Sequence, residues 1–164
     1  MKYLLLFLLP CIIFAQDKAT EFANNVFEAC RANDMKLYED LLATPEVIKS
    51  FMQQVDPTIP DEMIPKAFEL YKARGIKQFQ KWQDTAKEMG LDLSKVTITK
   101  TEASDREMKL KREGRRLDPI TVTDISIYFD CSGKKLCFII MDAINVNGSY
   151  YLTEECVRLY PVTD

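Results

Sequence analysis

The sequence predicts an α+β fold in which N-terminal helices pack on an antiparallel sheet. Up to Gly90 apolar residues recur at spacings of three and four, the period of a helix. Beyond Gly90 they alternate with polar residues, the period of a strand. Asn147-Gly148, set between two apolar runs, is the dipeptide that a two-residue hairpin favours. Helices first and antiparallel strands afterwards mean α+β, with no internal domain boundary.

The chain opens with MKYLLLFLLPCIIFAQ. Lys2 and the apolar run from Tyr3 to Phe14 fit the positive and hydrophobic regions of a signal peptide. A membrane-spanning helix needs about 20 apolar residues, so the run is too short to remain as an anchor. The expected division is a signal peptide over 1–15, cleaved near Ala15-Gln16, and a single domain over 16–164. That places the protein outside the cytoplasm, periplasmic or secreted. Two alternatives remain open: lipidation at Cys11, and a buried first helix.

Phe22, Val26, Ala29 and Cys30 form the apolar stripe of a helix over 17–32. Asp34 is placed to cap a second helix carrying Leu37, Leu41 and Leu42. Pro45 opens a third, with Val47, Ile48 and Phe51, and "DPTIP" is a turn. The longest pattern runs from Pro60 to Gly90 through Ile64, Phe68, Tyr71, Gly75, Phe79, Trp82, Ala86 and Met89. Pro65 falls in its first turn, where a missing N–H costs little, and Gly90 suits the residue after its end. Gly75 marks a bend or a break. The strands expected next contain Val96 and Ile98, Met108 and Leu110, then Pro119 to Cys131, Leu136 to Val146 and Tyr150 to Tyr160. In Pro119 to Cys131, Ile125, Ile127 and Phe129 share one face, and Asp124, Ser126, Tyr128 and Asp130 the other.

Composition excludes several chemistries. The chain has no histidine, which removes the commonest general base, the commonest zinc ligand and every Ser-His or Cys-His nucleophile arrangement. Its five glycines do not cluster, so no Gly-rich phosphate loop is present. No spacing suits a metal, and no cofactor is called for. A net charge of −3 argues against a dedicated nucleic-acid binder. The basic run Lys109 to Arg116 reads as a solvated hairpin, and the sequon Asn147-Gly148-Ser149 as a tight turn.

"FANNVFEACRANDMKLYEDLLATPE" resembles the opening of the NTF2-like superfamily, the cystatin-like α+β cone. The features are the apolar helix Phe22 to Ala29, the Asn33-Asp34 corner, Leu37, Leu41-Leu42 and Pro45. "INVNGSYYLTEE" resembles the last hairpin of that family, with Tyr150-Tyr151 after a Gly turn. The order of elements agrees over nearly the whole of 16–164, and an exported bacterial subgroup of unknown function is the nearest likeness. The resemblance implies a strongly curved sheet wrapped around the long helix, with a conical pocket between. It does not imply a function, because the superfamily holds isomerases, dehydratases, transport adaptors and binding modules.

Within such a cone Phe68, Tyr71, Phe79, Trp82 and Met141 are the candidate pocket residues; the same aromatic stripe also reads as plain core. With a two-residue Asn147-Gly148 turn, Met141 pairs with Glu154, which puts that carboxylate on the apolar side. There its pKa would rise, so Glu154 is the candidate catalytic base, the alternative being a sheet-rim residue. Tyr128, Ile140, Ile144, Tyr151 and Val157 suggest an outer sheet face apolar enough for a homodimer. Four cysteines follow Ala15, an even count that suits disulfides in an oxidising compartment. A three-residue loop at Gly133-Lys135 sets Cys131 opposite Cys137, with Phe129 opposite Ile139, Ile127 opposite Met141 and Ile125 opposite Ala143. Apolar then meets apolar at each pair, so a Cys131–Cys137 staple is expected; Cys30 and Cys156 are either a second bridge or two buried thiols. The functional expectation is an exported, non-catalytic module that binds a small apolar ligand or a partner protein. The alternative is a small cofactor-independent lyase or isomerase acting in the cone.

Overall fold

A computed structural model of the chain describes residues 8–109, 111–112, 115–116, 119–153 and 157–162. Four helices come first: α1 (Leu8–Arg31), α2 (Met35–Asp40), α3 (Pro45–Val55) and α4 (Ile64–Glu88). The strands β1 (Val96–Met108), β2 (Lys111–Arg112), β3 (Arg115–Arg116), β4 (Ile120–Cys131), β5 (Lys134–Val146), β6 (Ser149–Tyr151) and β7 (Val157–Pro161) follow. β1, β4 and β5 lie side by side, and the other edge of β5 is shared by β6 and β7. Together they make a curved, unclosed antiparallel sheet of five strands. The α+β order expected from the change of period is therefore the observed one. The basic run forms the separate hairpin β2–β3. No helix among the described residues is long and apolar enough to cross a membrane.

Local chemistry explains the helix ends. Asn33 takes a left-handed conformation (φ 53°), and the Asp34 N–H closes back on the Ala29 carbonyl at 2.9 Å, ending α1. The Asp34 carboxylate then accepts the Leu37 N–H at 3.0 Å and starts α2. Thr44 caps α3 in the same way, with Pro45 at the first helical position. α4 ends at Gly90 (φ 60°), where the Leu91 N–H reaches the Ala86 carbonyl at 3.1 Å. Gly75 does not break α4, which runs on from Ile64 to Glu88. It is buried under Leu42, and a Cβ there would stand 2.6 Å from Leu42 Cδ2, so glycine lets α4 approach the end of α2 closely.

The main core is aromatic. Phe27 of α1 meets Phe129 and Phe138 with ring centroids 5.0 and 5.2 Å apart. Trp82 of α4 meets Phe138 edge-on at 6.0 Å, and Tyr38 packs on Phe79 at 4.9 Å. Each such pair is worth about 0.5–1.5 kcal/mol beyond the area it buries. Ile125, Ile127, Phe129 and Cys131 of β4, and Leu136, Phe138 and Ile140 of β5, supply the floor of this core. A second cluster occupies the opposite face at one end of the sheet. There Val122, Ile144 and Val146 pack with Ile48 of α3 and with Ile64, Phe68 and Tyr71 of α4.

One feature of β5 reconciles the two clusters. Ile125 pairs with Ile140, but Thr123 pairs with Ala143, so one extra residue bulges out at Met141-Asp142. Asp142 sits there at φ 56°. Before the bulge the even-numbered side chains of β5 face the main core; beyond it Ala143 does, and Ile144 and Val146 turn to the other face.

The hairpin register corrects the cysteine expectation. The β4–β5 loop is the two-residue turn Ser132-Gly133, both with positive φ (55° and 83°), and the Asp130 carboxylate accepts the Gly133 N–H at 2.8 Å. Cys131 therefore lies opposite Lys134, and Cys137 opposite Tyr128. The shift from the expected pairing is odd, which puts the two cysteines on opposite faces of the sheet, and no staple joins them. Cys30, Cys131 and Cys137 are buried free thiols. Cys131 points into the core and donates to the Asp92 carbonyl at 3.2 Å. The candidate Cys30–Cys156 bridge involves Cys156, outside the described residues. The last expected strand is also divided: β6 and β7 pair β5 in registers two residues apart. Ile140 and Val157, expected on the outer face, lie in the main core, and Ile144 lies in the second cluster, so the dimer surface is stripped of its aliphatic residues.

Burial without a compensating partner pushes the Cys30 thiol far above its ordinary value, and burial raises that of Cys137 as well, against hydrogen bonds from Ser126 and Tyr128. Below about pH 7 both thiols are protonated in folded and unfolded chains alike. As pH rises further the unfolded chain ionises first, so each raised thiol removes up to about 1.4 kcal/mol of stability per pH unit. Urea denaturation between pH 8 and 10.5 should therefore show falling stability, with a shallower fall in Cys30→Ala. Identical pH slopes in the two proteins would contradict the burial of that thiol.

Candidate functional site

Gln78, Lys81, Trp82 and Thr85 fall at i, i+3, i+4 and i+7 of α4, on one face of the helix. That face runs beside Val157, Arg158, Leu159 and Tyr160 of β7, and an open groove of about 480 Å³ lies between them. Packing fixes both walls. Trp82 is held against Phe138, and Val157 is buried opposite Ile140. Among the described residues the groove is lined by Gln78, Lys81, Trp82 and Thr85 of α4 and by the β7 segment, in which Val157 and Leu159 face the core side and Arg158 and Tyr160 alternate to the other. Arg158 Nη1 donates to the Tyr160 hydroxyl at 3.3 Å, and the Thr85 hydroxyl donates to the Lys81 carbonyl at 2.9 Å. The buried Trp82 Nε1–H finds no acceptor among the described residues. An unsatisfied donor of this kind costs about 1–3 kcal/mol.

The five expected pocket residues do not line one cavity. Phe79 and Trp82 are in the main core, Phe68 and Tyr71 in the second cluster, and Met141 is half-buried in neither. Trp82 alone of the five borders the α4–β7 groove. Phe68 borders a smaller cleft of about 270 Å³ with Glu39, Leu42, Thr44 and Lys72, where Lys72 and Glu39 form an ion pair at 3.4 Å. The cone interior is occupied by the edge-on and tilted rings of Phe27, Phe138, Trp82, Phe79 and Tyr38. Glu154 lies outside the described residues.

Two strand carboxylates do converge, at the bulge. Arg106 Nε lies 2.7 Å from Asp124 Oδ2, and its Nη2 also bonds Asp142. The other Asp124 oxygen accepts the Asp142 N–H at 2.9 Å, and Thr153 donates to the Asp142 carbonyl at 3.1 Å. The Asp124 carboxylate, aided by Asp142, holds the Arg106 guanidinium above its ordinary value. Both acids are thus engaged by one cation, which suits a clamp on the bulge rather than an acid–base pair. Sequence alone placed Asp124 on the face away from Ile125, Ile127 and Phe129 but could not give it Arg106, because that contact depends on the β1–β4 register.

No family model, curated protein or solved structure matches the chain.

The clamp yields a backbone test. Asp142 occupies the left-handed region, which glycine enters freely and β-branched residues resist by about 1–2 kcal/mol. Asp142→Val, which adds strain to the loss of the Arg106 contact, should lower unfolding free energy by about 2–3 kcal/mol in urea denaturation. Asp142→Gly should cost clearly less. Equal losses for the two variants would contradict the left-handed bulge.

Proposed function

We propose that the chain is a non-catalytic binding module that holds an acidic segment of a partner protein in the α4–β7 groove. The observation that carries this reading is the groove lining, which among the described residues brings Lys81, Gln78 and the wall of Trp82 beside the β7 segment that carries Arg158. The volume of about 480 Å³ is that of a ligand cleft, while the filled aromatic interior favours a partner protein over a small apolar ligand held in the cone. The order of elements and the Asn33-Asp34 and Thr44-Pro45 corners support placing the chain with the NTF2-like superfamily, whose fold serves binding modules as well as enzymes. The likeness of residues 1–15 to a signal peptide supports action outside the cytoplasm.

Electrostatic complementarity of this kind governs association and specificity and weakens with salt. A capped hexaglutamate peptide titrated into the isotopically labelled protein should shift backbone amide resonances of Gln78–Thr85 and Val157–Tyr160. The shifts should weaken between 20 and 300 mM salt and vanish in Lys81→Glu/Arg158→Glu. Shifts absent altogether, or unchanged in the double variant, would overturn the reading.

A further inference from the structure

Of the five asparagines in the chain, only Asn147 precedes a glycine. A glycine has no side chain to hinder its own backbone nitrogen from reaching the carboxamide of the residue before it. Asn147 and Gly148 form the turn between β5 and β6, with Val146 opposite Ser149 and positive φ at both turn positions (54° and 81°). Asn147 is exposed to water and Gly148 is half-buried.

The nitrogen placed to attack is engaged. The Gly148 N–H donates to the Asn145 side-chain oxygen at 2.9 Å. Asn145 is exposed, and its backbone is fixed by pairing with Tyr150 across the hairpin. A hydrogen bond to the neutral amide disfavours its deprotonation, and it also holds the peptide plane in place. On the far side of the same residue, the Lys18 ammonium donates to the Gly148 carbonyl at 3.2 Å and ties the turn to α1. Just beyond the turn, Tyr150 stacks on Phe22 of α1 with ring centroids 5.9 Å apart. The Leu152 N–H donates to the Leu41 carbonyl at 3.0 Å, and the Leu152 carbonyl accepts the Ala43 N–H at 3.3 Å. The turn is thus the start of the segment that joins the sheet to α1 and α2.

We propose that Asn147 is a self-modifying site and that Asn145 guards it. The Gly148 nitrogen gives its proton to solvent hydroxide and bonds to the side-chain carbon of Asn147. The carboxamide C–N bond breaks, and the nitrogen leaves as ammonia after taking a proton from water. Water then opens the five-membered succinimide at one of its two carbonyls, giving isoaspartate or aspartate. Nothing is oxidised or reduced, and water is the only co-reactant. While Asn145 holds the Gly148 N–H the ring closure is suppressed; once the turn opens it proceeds, and it does not reverse. Isoaspartate adds a methylene to the backbone of a turn whose two-residue length sets the β5–β6 pairing, so the product loosens β6 and its contact with Phe22. The site therefore keeps a one-way record of how often this turn has opened.

The test follows isoaspartate at position 147 by peptide mass spectrometry and isoaspartyl methylation during incubation of the full chain at pH 8 and 37 °C. Product should form at least about tenfold more slowly in the folded chain than in the same chain unfolded in urea. Asn145→Ala should raise the folded rate at least about threefold. Asn145→Asp keeps an acceptor for the Gly148 N–H and should stay within about twofold of the unaltered protein. Equal rates in the three folded proteins, or equal rates in the folded and unfolded chain, would overturn the guard. So would hydrogen exchange at the Gly148 amide of the unaltered folded chain as fast as in an unstructured peptide, a measurement that needs no variant. Absence of product at Asn147 in the unfolded chain would overturn the site itself.

Discussion

The bulge at Met141-Asp142 is the constraint on which the rest of the sheet depends. A regular β5 would present one set of alternate side chains to one face along its whole length. Here Leu136, Phe138 and Ile140 must cover the main core, while Ile144 and Val146 must cover the second cluster on the other face. One extra residue changes the phase, and the left-handed Asp142 supplies it. The cost of that conformation is offset by the Arg106–Asp124 pair, by the Asp142 N–H to Asp124 bond and by the Thr153 hydroxyl. Change of phase explains how one sheet can be buried on both faces at one end.

Placement of α4 follows. Its N-terminal half enters the second cluster through Ile64, Phe68 and Tyr71, and its C-terminal half enters the main core through Phe79, Trp82 and Ala86. Gly75 lies between the two, where α4 must pass close to Leu42. A helix held at both ends in this way has little freedom to tilt, and the groove beside β7 inherits that rigidity. Trp82 belongs to both environments: its ring edge stabilises Phe138, and it also borders the groove. The aromatic junction that closes the interior thereby sets one wall of the α4–β7 groove, and the function proposed for the groove is a consequence of how the core is packed.

Much of the architecture was legible in the chain. The helix boundaries at Asn33-Asp34, Thr44-Pro45 and Gly90 are written in capping chemistry, which acts over three or four residues. Asn147-Gly148 announces its turn for the same reason. The β4–β5 register was not legible through apolar matching, because β5 is apolar on both faces and several registers satisfy it. The signal that could have decided it is local: Ser132-Gly133 after Asp130 suits a two-residue turn with positive φ at both positions. Fixing that turn would have separated Cys131 from Cys137 at once. The groove itself left no mark on the sequence. Lys81 and Arg158 are 77 positions apart, and only the pairing of β7 with β5 brings them to one cleft.

Cross-strand nuclear Overhauser effects measure this register directly. The phase change predicts contacts linking Ile127 with Phe138 and Ile125 with Ile140 on one side of the bulge, and Thr123 with Ala143 on the other. Contacts joining Cys131 to Cys137, Phe129 to Ile139 and Ile125 to Ala143 would instead describe an unbulged hairpin in a different register. They would contradict the placement of every residue on β5, and with it the wall of the groove.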